Sequence, residues 1–302
     1  MAEYLKKKFI LKENIFTIEI KDQVTKKVTN FYKDSPFPNY KTKDNKGTIL
    51  SKGDRNILTS QFKKFIGYNK NVLEVGCGTG QISNYFSIGT NNNIVGLDPT
   101  MESLNLASDF AKKNDIQNVK FVNADIFDDV LKDSFFDFIW CSGVLHHTKD
   151  PYSAFQIITK SLKDEGYILI GLYNKIGRIR TIIRKFFYKI FGENFLKIFD
   201  PTLRNLKKDK EEQKAWIRDQ YIHPVESLHT IDEVLYWFQI NNIEYINSVP
   251  SCDFNDYDFQ DLFKKQSLGS HYSRIMNQIS MIFTELGSDG GLFILIGKKK
   301  SS

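Results

Sequence analysis

The chain has 302 residues, 41% of them apolar, which is enough for one large domain or one domain with an insertion. Its three cysteines, Cys77, Cys141 and Cys252, show no C-x-x-C spacing, so the sequence predicts no zinc site, no other metal site and no disulfide framework, as fits a reducing cytoplasm. No run approaches 18 apolar residues, and no apolar region as long as that of a signal peptide follows the first lysines. We therefore expect neither a membrane-spanning helix nor a signal peptide.

Charge is distributed unevenly along the chain, whose overall net charge is +6. Residues 1–47 carry a net charge of +5, residues 71–174 carry −6, and residues 175–214 carry +7. Such a split fits an anionic substrate, an anionic surface or nucleic acid, although a solvated lysine-rich surface is commoner than any one of them. The charge pattern alone leaves these alternatives open.

The first 52 residues are predicted to form an N-terminal arm. Residues 16–20 alternate between apolar and polar, which is typical of an edge strand packed outside the main sheet. Residues 28–40 hold four aromatic residues and two prolines, and proline would present the rings rigidly. Residues 41–52 are polar and predict a loop, whereas residues 57–65 predict a helix.

A glycine-rich turn follows the first strongly apolar run. Residues 72–80 read VLEVGCGTG, which indicates a buried parallel strand, a tight turn and the start of a helix. The glycines would bring backbone N–H groups close to a ligand. The spacing differs from the G-x-G-x-x-G of dinucleotide sites, and the carboxylate of Glu74, two residues before the first glycine, repels phosphate but suits an ammonium group.

Two further predicted strands also end in acids. Residues 93–98 end at Asp98, 22 residues after Gly76, where a carboxylate can accept hydrogen bonds from both hydroxyls of a ribose. Residues 119–126 contain a third strand that ends at Asp125. Each acid alone would be an ordinary capping residue, but three of them at consecutive strand ends indicate one site.

The alternation of strands and helices continues to residue 173. Residues 135–143 predict a fourth strand, which is followed by His146 and His147, and Asp150-Pro151 is typical of a helix start. Residues 167–173 predict a fifth strand. This order implies an α/β fold with a parallel sheet and helices on both faces.

Residues 71–174 resemble the motifs of class I S-adenosylmethionine-dependent methyltransferases, in the style of the small-molecule enzymes of methyltransferase type 11 (UbiE-like). The resemblance implies a Rossmann-like, mostly parallel seven-stranded sheet. Its seventh strand, residues 291–297, would lie antiparallel between the fifth and the sixth, residues 243–249. It also implies S-adenosylmethionine as the cofactor and S-adenosylhomocysteine as its product. Such a ligand offers amine, hydroxyl and sulfonium groups, but no phosphate, to the three acids.

The resemblance also assigns residues to the site. A histidine near the transferred methyl group is expected, and His146 and His147 are both candidates for a general base, with His146 preferred; packing beside the cofactor is the alternative. The implied cofactor contacts are Glu74, Gly76, Cys77, Gly78, Thr79, Gly80, Asp98, Met101, Asp125, Ile126 and Ser142.

About 55 residues separate the fifth strand from the next helix, where the family normally has a short loop. Ile176, Ile179, Ile183, Phe186 and Ile190 keep helical spacing on one face. The other positions include Arg178, Arg180, Arg184, Lys185 and Lys189. A helix of this kind lies on a membrane surface, covers a pocket, or is the solvated outside of a packed helix. We expect the insertion to be a lid over the substrate.

The sequence therefore predicts four segments: an arm (1–52), a cofactor-binding core (53–174), a helical lid (175–229), and the C-terminal part of the core with an inserted helix (230–302). The predicted reaction is methyl transfer to a small organic or lipid-like acceptor. The alternatives are an RNA-modifying methyltransferase that uses the basic flanks, which is less favoured, and a non-catalytic cofactor-binding or scaffold protein. Peripheral membrane contact stays open. The candidate substrate contacts are Tyr32, Tyr40, Tyr173, Asn174, Arg178, Tyr221 and His223.

Overall fold

The computed structural model describes residues 2–33, 36, 38–206, 209–255, 261–288 and 290–301; Phe37, one of the aromatic residues of the 28–40 segment, lies outside them. Within the described residues nine strands form one sheet, in the order β1-β2-β5-β4-β3-β6-β7-β9-β8. The strands are β1 (Ile10–Lys12), β2 (Ile15–Thr17), β3 (Asn71–Val75), β4 (Asn93–Asp98), β5 (Val119–Asn123), β6 (Phe136–Ser142), β7 (Leu162–Tyr173), β8 (Ile243–Val249) and β9 (Leu292–Lys299).

The predicted α/β fold with a mostly parallel sheet is confirmed. Strands β3 to β7 run parallel, and β9 lies antiparallel between β7 and β8, as expected of the last strand. The sheet has two more strands than predicted. One of them, β2, overlaps the segment at residues 16–20 that was expected outside the main sheet, but it pairs in parallel with β5. The other, β1, was not predicted and forms a hairpin with β2. The pairing of β2 with β5 satisfies the backbone groups that β5 would otherwise leave unpaired.

The helices of the described residues lie between and around these strands. They are α1 (Gln23–Lys33), α2 (Lys46–Arg55), α3 (Ile57–Ile66), α4 (Gln81–Ser87), α5 (Met101–Lys113), α6 (Pro151–Lys160), α7 (Ile179–Phe191), α8 (Glu193–Phe199), α9 (Pro201–Asn205), α10 (Lys210–Ile217), α11 (Ile231–Ile240), α12 (His271–Ser280) and α13 (Glu285–Ser288). A π-helix, Arg218–Ile222, continues α10. None of the helices in this part of the chain is both long and apolar enough to cross a bilayer.

Two apolar layers cover the sheet because successive residues of a strand point to opposite faces. Leu73 of β3 belongs to the layer that includes Phe155 of α6 and Phe238 of α11. Its neighbour Val72 belongs to the layer that includes Phe62 of α3 and, beside it, residues of α4 and α5. The two layers hold the carboxyl ends of the central strands in fixed positions.

The predicted loop at residues 41–52 is wrong in its second half, since α2 begins at Lys46. Asn45 and Thr48 form a reciprocal capping box, in which each side chain accepts a hydrogen bond from the other's backbone N–H. Ile49 is buried against the core. The box supplies partners for two of the N–H groups that a helix start leaves free, and Ile49 anchors the helix.

Candidate cofactor and acceptor site

A cleft of about 400 Å³ lies at the carboxyl ends of β3, β4, β5 and β6, where open α/β sheets bind ligands. Part of its wall comes from α1 and Pro38, and part from α10 and the π-helix of the insertion. The residues around it are Thr25, Val28, Tyr32, Pro38, Glu74, Gly76, Cys77, Gly78, Gln81, Ile82, Leu97, Asp98, Pro99, Thr100, Ser103, Ala124, Asp125, Ile126, Trp140, Ser142, Gly143, Val144, His147, Thr148, Tyr173, Trp216, Asp219, Gln220 and Leu292.

The glycine turn closes the inner end of the cleft. Gly76 has φ +65°, and a Cβ atom there would lie 2.4 Å from a methyl group of Val144, so both the turn and the close approach require glycine. The expectation that bare N–H groups of the turn face a ligand is wrong for the first three positions. The N–H groups of Gly76 and Cys77 donate to the Leu97 carbonyl oxygen at 2.7 and 3.1 Å, and that of Gly78 donates to Asp98 Oδ2 at 2.8 Å.

Two of the turn residues assigned to the cofactor, Thr79 and Gly80, do not line the cleft. The Thr79 hydroxyl donates to the carbonyl oxygen of Pro38 and so fastens the N-terminal segment to the turn. Gly80 packs against Ala107, and its N–H donates to the Cys77 carbonyl oxygen. Because these donors are satisfied within the protein, the turn differs from a phosphate-binding loop.

The three acids predicted at the strand ends lie together at the cleft, and all three are buried. Glu74 accepts a hydrogen bond from the Ser83 hydroxyl, but burial outweighs that bond and raises the pKa of Glu74 to about 8. Asp98 accepts from the N–H groups of Gly78 and Thr100, both at 2.8 Å. Oxygen Oδ1 of Asp125 caps the turn after β5, whereas Oδ2 is buried with no hydrogen-bond partner among the described residues.

This donor and acceptor set fits S-adenosylmethionine. The free Oδ2 of Asp125 needs a donor, which an amino group of the adenine would supply, and Glu74 and Asp98 are acceptors for ammonium and hydroxyl groups. Among the described residues no lysine or arginine lines the cleft, as suits a ligand without phosphate. Ile126 and Ser142 lie at the cleft, whereas Met101 packs against the apolar layer of α5 and does not line it.

The two candidate histidines occupy different positions. His147 lines the cleft, and its Nδ1 lies 2.7 Å from the Val225 carbonyl oxygen, so Nδ1 carries the proton and Nε2 has the lone pair. Burial lowers the pKa of His147, although Asp219 opposes the shift. The preferred candidate, His146, is fully buried outside the cleft wall, with its ring 3.9 Å from that of Tyr173 and 4.2 Å from that of His147. Burial lowers the pKa of His146 well below its usual value.

Polar side chains of the arm and the insertion meet beside His147. Tyr32 donates a hydrogen bond to Asp219 Oδ1 at 2.8 Å. The amide of Gln220 donates to Asp219 Oδ2 and to the Tyr173 hydroxyl oxygen, both at 2.8 Å. Together with the Trp216 ring these residues form the outer part of the cleft, so the predicted contacts Tyr32 and Tyr173 do lie at the site.

The other five predicted substrate contacts do not line the cleft. Tyr40 stacks on Phe110 with ring centroids 4.3 Å apart, and Tyr221 donates to Asp200 at 2.6 Å. The remaining three lie behind the wall: Asn174 donates to Gln278, Arg178 is fully buried in an ion pair with Glu226 at 2.8 Å, and the His223 ring lies 3.6 Å from that of His147.

Sequence reasoning missed Trp216, Asp219 and Gln220. Tyr221 and His223 were chosen as substrate contacts from the same stretch of sequence instead. The turn is a π-helix, and no sequence pattern specifies that winding. The winding places Asp219 and Gln220 at the cleft and directs Tyr221 towards Asp200.

The comparisons with known proteins assign the family. Residues 66–242, more than half of the chain, match the family described as "Methyltransferase domain". The chain belongs to this family and is a class I S-adenosylmethionine-dependent methyltransferase, with S-adenosylmethionine as its cofactor. It is similar to the ubiquinone biosynthesis O-methyltransferase of Glaesserella parasuis, with 28% identity over 47% of this chain and 59% of the relative. It is also similar to an uncharacterized methyltransferase of Bacillus subtilis, with 31% identity over 33% of this chain and 39% of the relative.

The chain spans about half the length of the curated relatives it matches. Among solved structures, geranyl diphosphate C-methyltransferase from Streptomyces coelicolor, in complex with Mg²⁺, geranyl diphosphate and S-adenosyl-L-homocysteine, superposes with a TM-score of 0.52. The identity is 12%, over 94% of this chain and all of that one. PKMT2 from Rickettsia typhi superposes with a TM-score of 0.54 at 16% identity, over 80% of this chain and 53% of that one. At these identities the two structures support the fold alone.

Proposed function

We propose that this methyltransferase acts on an uncharged hydroxyl group of a small organic or lipid-like acceptor, with His147 as the general base. The observation that carries the proposal is the composition of the outer cleft. His147, Tyr32, Tyr173, Trp216 and Asp219 lie around it, and no lysine or arginine of the described chain joins them. An anionic group there would lie beside the Asp219 carboxylate with no lysine or arginine in the lining to balance it, which is unfavourable. The same argument weighs against an RNA acceptor.

The cofactor would be held by the three acids. Glu74 would receive its ammonium group, Asp98 its ribose hydroxyls and the free Oδ2 of Asp125 the amino group of its adenine, beside the apolar side chain of Ile126. When bound, S-adenosylmethionine supplies an electrophilic methyl group on a sulfonium. The three buried carboxyl groups would balance the positive charge of the cofactor, where charge interactions are stronger than in bulk water.

The proposed base follows from the hydrogen bond of His147. Since Nδ1–H is bound to the Val225 carbonyl oxygen, Nε2 is free to accept the proton of an acceptor hydroxyl as the methyl group is transferred. The lowered pKa keeps the ring neutral, and therefore able to accept a proton, at pH 7. His146 would act as a positioning residue, since its ring packs between those of His147 and Tyr173.

Transfer of labelled methyl groups to paired acceptors tests the proposal. Each pair would be a neutral alcohol or phenol and its phosphorylated form, and we expect only the neutral member to be methylated. His147→Asn should lower kcat by about 10²-fold or more while S-adenosylhomocysteine binding stays unchanged. His271→Asn is the matched control, because that histidine is exposed. A preference for the phosphorylated forms, or full turnover by His147→Asn, would contradict the proposal.

A further inference from the structure

Helix α7 presents its apolar stripe to solvent. Ile179, Ile182, Ile183, Phe186 and Ile190 share one face of the helix at i, i+3, i+4, i+7 and i+11, and they are 41–60% exposed. The opposite face carries Thr181 and Arg184, which are buried. A surface helix of a globular protein normally has the reverse arrangement, with its apolar stripe against the core.

The exposed apolar surface continues through Phe191, the last residue of α7, onto α8. Phe191, Ile198 and Phe199 are 56–62% exposed, and the ring of Phe195 contacts those of Phe191 and Phe199 at 6.0 and 4.5 Å. We call these eight exposed residues the α7–α8 surface. Scattered exposed apolar side chains are ordinary, but a contiguous set on two successive helices marks an interaction site.

Buried polar contacts fix this orientation. Arg184 forms an ion pair with Asp200 at 3.3 Å, and both side chains are almost completely buried. Asp200 also accepts hydrogen bonds from Tyr221 at 2.6 Å and from Trp216 at 3.0 Å. Rotating α7 to bury its stripe would pull Arg184 away and leave a buried carboxylate without its counter-ion, which is strongly unfavourable. The exposure is therefore built into the fold.

The charges around the stripe indicate what covers it. Residues 175–192 contain six lysines and arginines and no acid. By the helical period, Lys185 and Lys189 lie along one border of the stripe and Arg180 lies along the other. Lys189 is exposed, whereas Lys185 pairs with Glu226 at 3.9 Å and Arg180 donates to the Ile282 carbonyl oxygen at 3.2 Å. A second copy of the chain docked on this face would bring two sets of cations together. An apolar stripe with cationic borders complements an anionic lipid surface, which offers acyl chains below a layer of negative headgroups.

We propose that the α7–α8 surface docks the protein on an anionic lipid bilayer. The stripe enters the boundary between headgroups and acyl chains, and the bordering lysines and arginines contact anionic headgroups. This inference goes beyond the proposed function, because it depends on the outer face of the insertion and not on any residue of the cleft. The α7–α8 surface and the cleft are nevertheless close in the chain, because α7 starts six residues after Tyr173.

Co-sedimentation with lipid vesicles tests the proposal. The probes are vesicles of phosphatidylcholine alone and of phosphatidylcholine mixed with phosphatidylglycerol, at low and high salt. The wild type should bind the mixed vesicles at low salt. The affinity of the double variant Ile183→Ser/Phe186→Ser for the same vesicles should be lower by about tenfold or more. Ile57→Ser, which removes an isoleucine that is 67% exposed on α3, is the matched control and should bind like the wild type.

The charge contribution is tested separately by Lys175→Glu/Lys189→Glu, in which Lys175 is an exposed lysine four residues before α7. This variant and high salt should each weaken binding about tenfold. Calorimetry with S-adenosylhomocysteine should give equal affinities for all variants, which shows that they fold. Failure of the wild type to bind mixed vesicles, or equal binding by the Ser variant, overturns the proposal. The proposal is also overturned if the wild type is a dimer and the Ser variant is a monomer, because a second copy of the chain would then cover the surface. The proposed function is tested independently by measuring methyl transfer to a water-soluble acceptor in the absence of vesicles.

Discussion

Replacing Glu74 by glutamine tests whether this buried carboxyl receives the ammonium group of the cofactor. With a pKa of about 8, the carboxyl is protonated in about nine-tenths of the free protein at pH 7. An ammonium group beside it favours the ionised form. Binding of S-adenosylhomocysteine at pH 7 should therefore release about 0.9 proton. The release should decline as the pH rises through 8, because the carboxyl of the free protein is then already ionised.

Calorimetry in two buffers with different ionisation enthalpies measures this proton release. Glu74→Gln cannot ionise, so its binding enthalpy should lose this buffer dependence. Its affinity should fall by about 2 kcal/mol, or roughly 30-fold, through loss of a charged hydrogen bond. Glu165→Gln is the control, because that carboxyl lies on the surface. The reasoning is refuted if wild-type binding shows no buffer dependence, or if Glu74→Gln releases as many protons as the wild type.

Three further outcomes follow from buried groups. Asp125→Asn should weaken S-adenosylhomocysteine binding by about 1–2 kcal/mol in calorimetry, because the free acceptor is lost; unchanged affinity would contradict the proposed adenine contact. Arg178→Met should lower the free energy of unfolding in urea by about 3 kcal/mol, since it removes the buried cation 2.8 Å from Glu226 and leaves that carboxylate only Lys185 at 3.9 Å. Lys197→Met breaks an exposed pair and should cost less than about 1 kcal/mol. Burial lowers the pKa of His223 to about 3, so the unfolded chain binds more protons below pH 6.5. Between pH 6.5 and 5.5 the wild type should therefore lose about 1 kcal/mol more stability than His223→Gln, and equal losses would refute this account.

The central sheet could be predicted because its signals are local. In β3 to β6 the apolar run and the polar residue that ends it are adjacent in sequence, and parallel strands bring such ends to one edge. Glu74, Asp98 and Asp125 could therefore be placed together without any knowledge of the remaining chain. The extra strand β2 could not be predicted as part of the sheet, because its partner β5 lies about 100 residues away and only three residues form the strand.

The insertion was harder to predict because its structure depends on distant partners. The spacing of Ile179, Ile183 and Phe186 shows that they share a face, but not whether that face points inward. The answer lies in Arg184, whose burial requires Asp200 from the junction between α8 and α9. Arg178 was expected to contact substrate and instead pairs with Glu226 behind the cleft wall. Periodicity identifies the faces of a helix, whereas the buried ion pairs decide their direction.

Helix α1 forms one wall of the cleft, yet none of its side chains is buried, so local unfolding of α1 costs far less than unfolding of the whole domain. Hydrogen bonds hold its two ends. At the start of α1, Lys149 donates to Asp22 at 2.6 Å. At its end, Arg218 donates to the Phe31 carbonyl oxygen at 2.6 Å, and Tyr32 donates to Asp219. A ligand that contacts both α1 and the sheet must slow hydrogen exchange of the α1 amides. By reciprocity, the factor by which this ligand shifts the folding equilibrium of α1 equals the ratio of its affinities for protein with α1 folded and with α1 unfolded. Any change that loosens α1 therefore weakens the binding of that ligand.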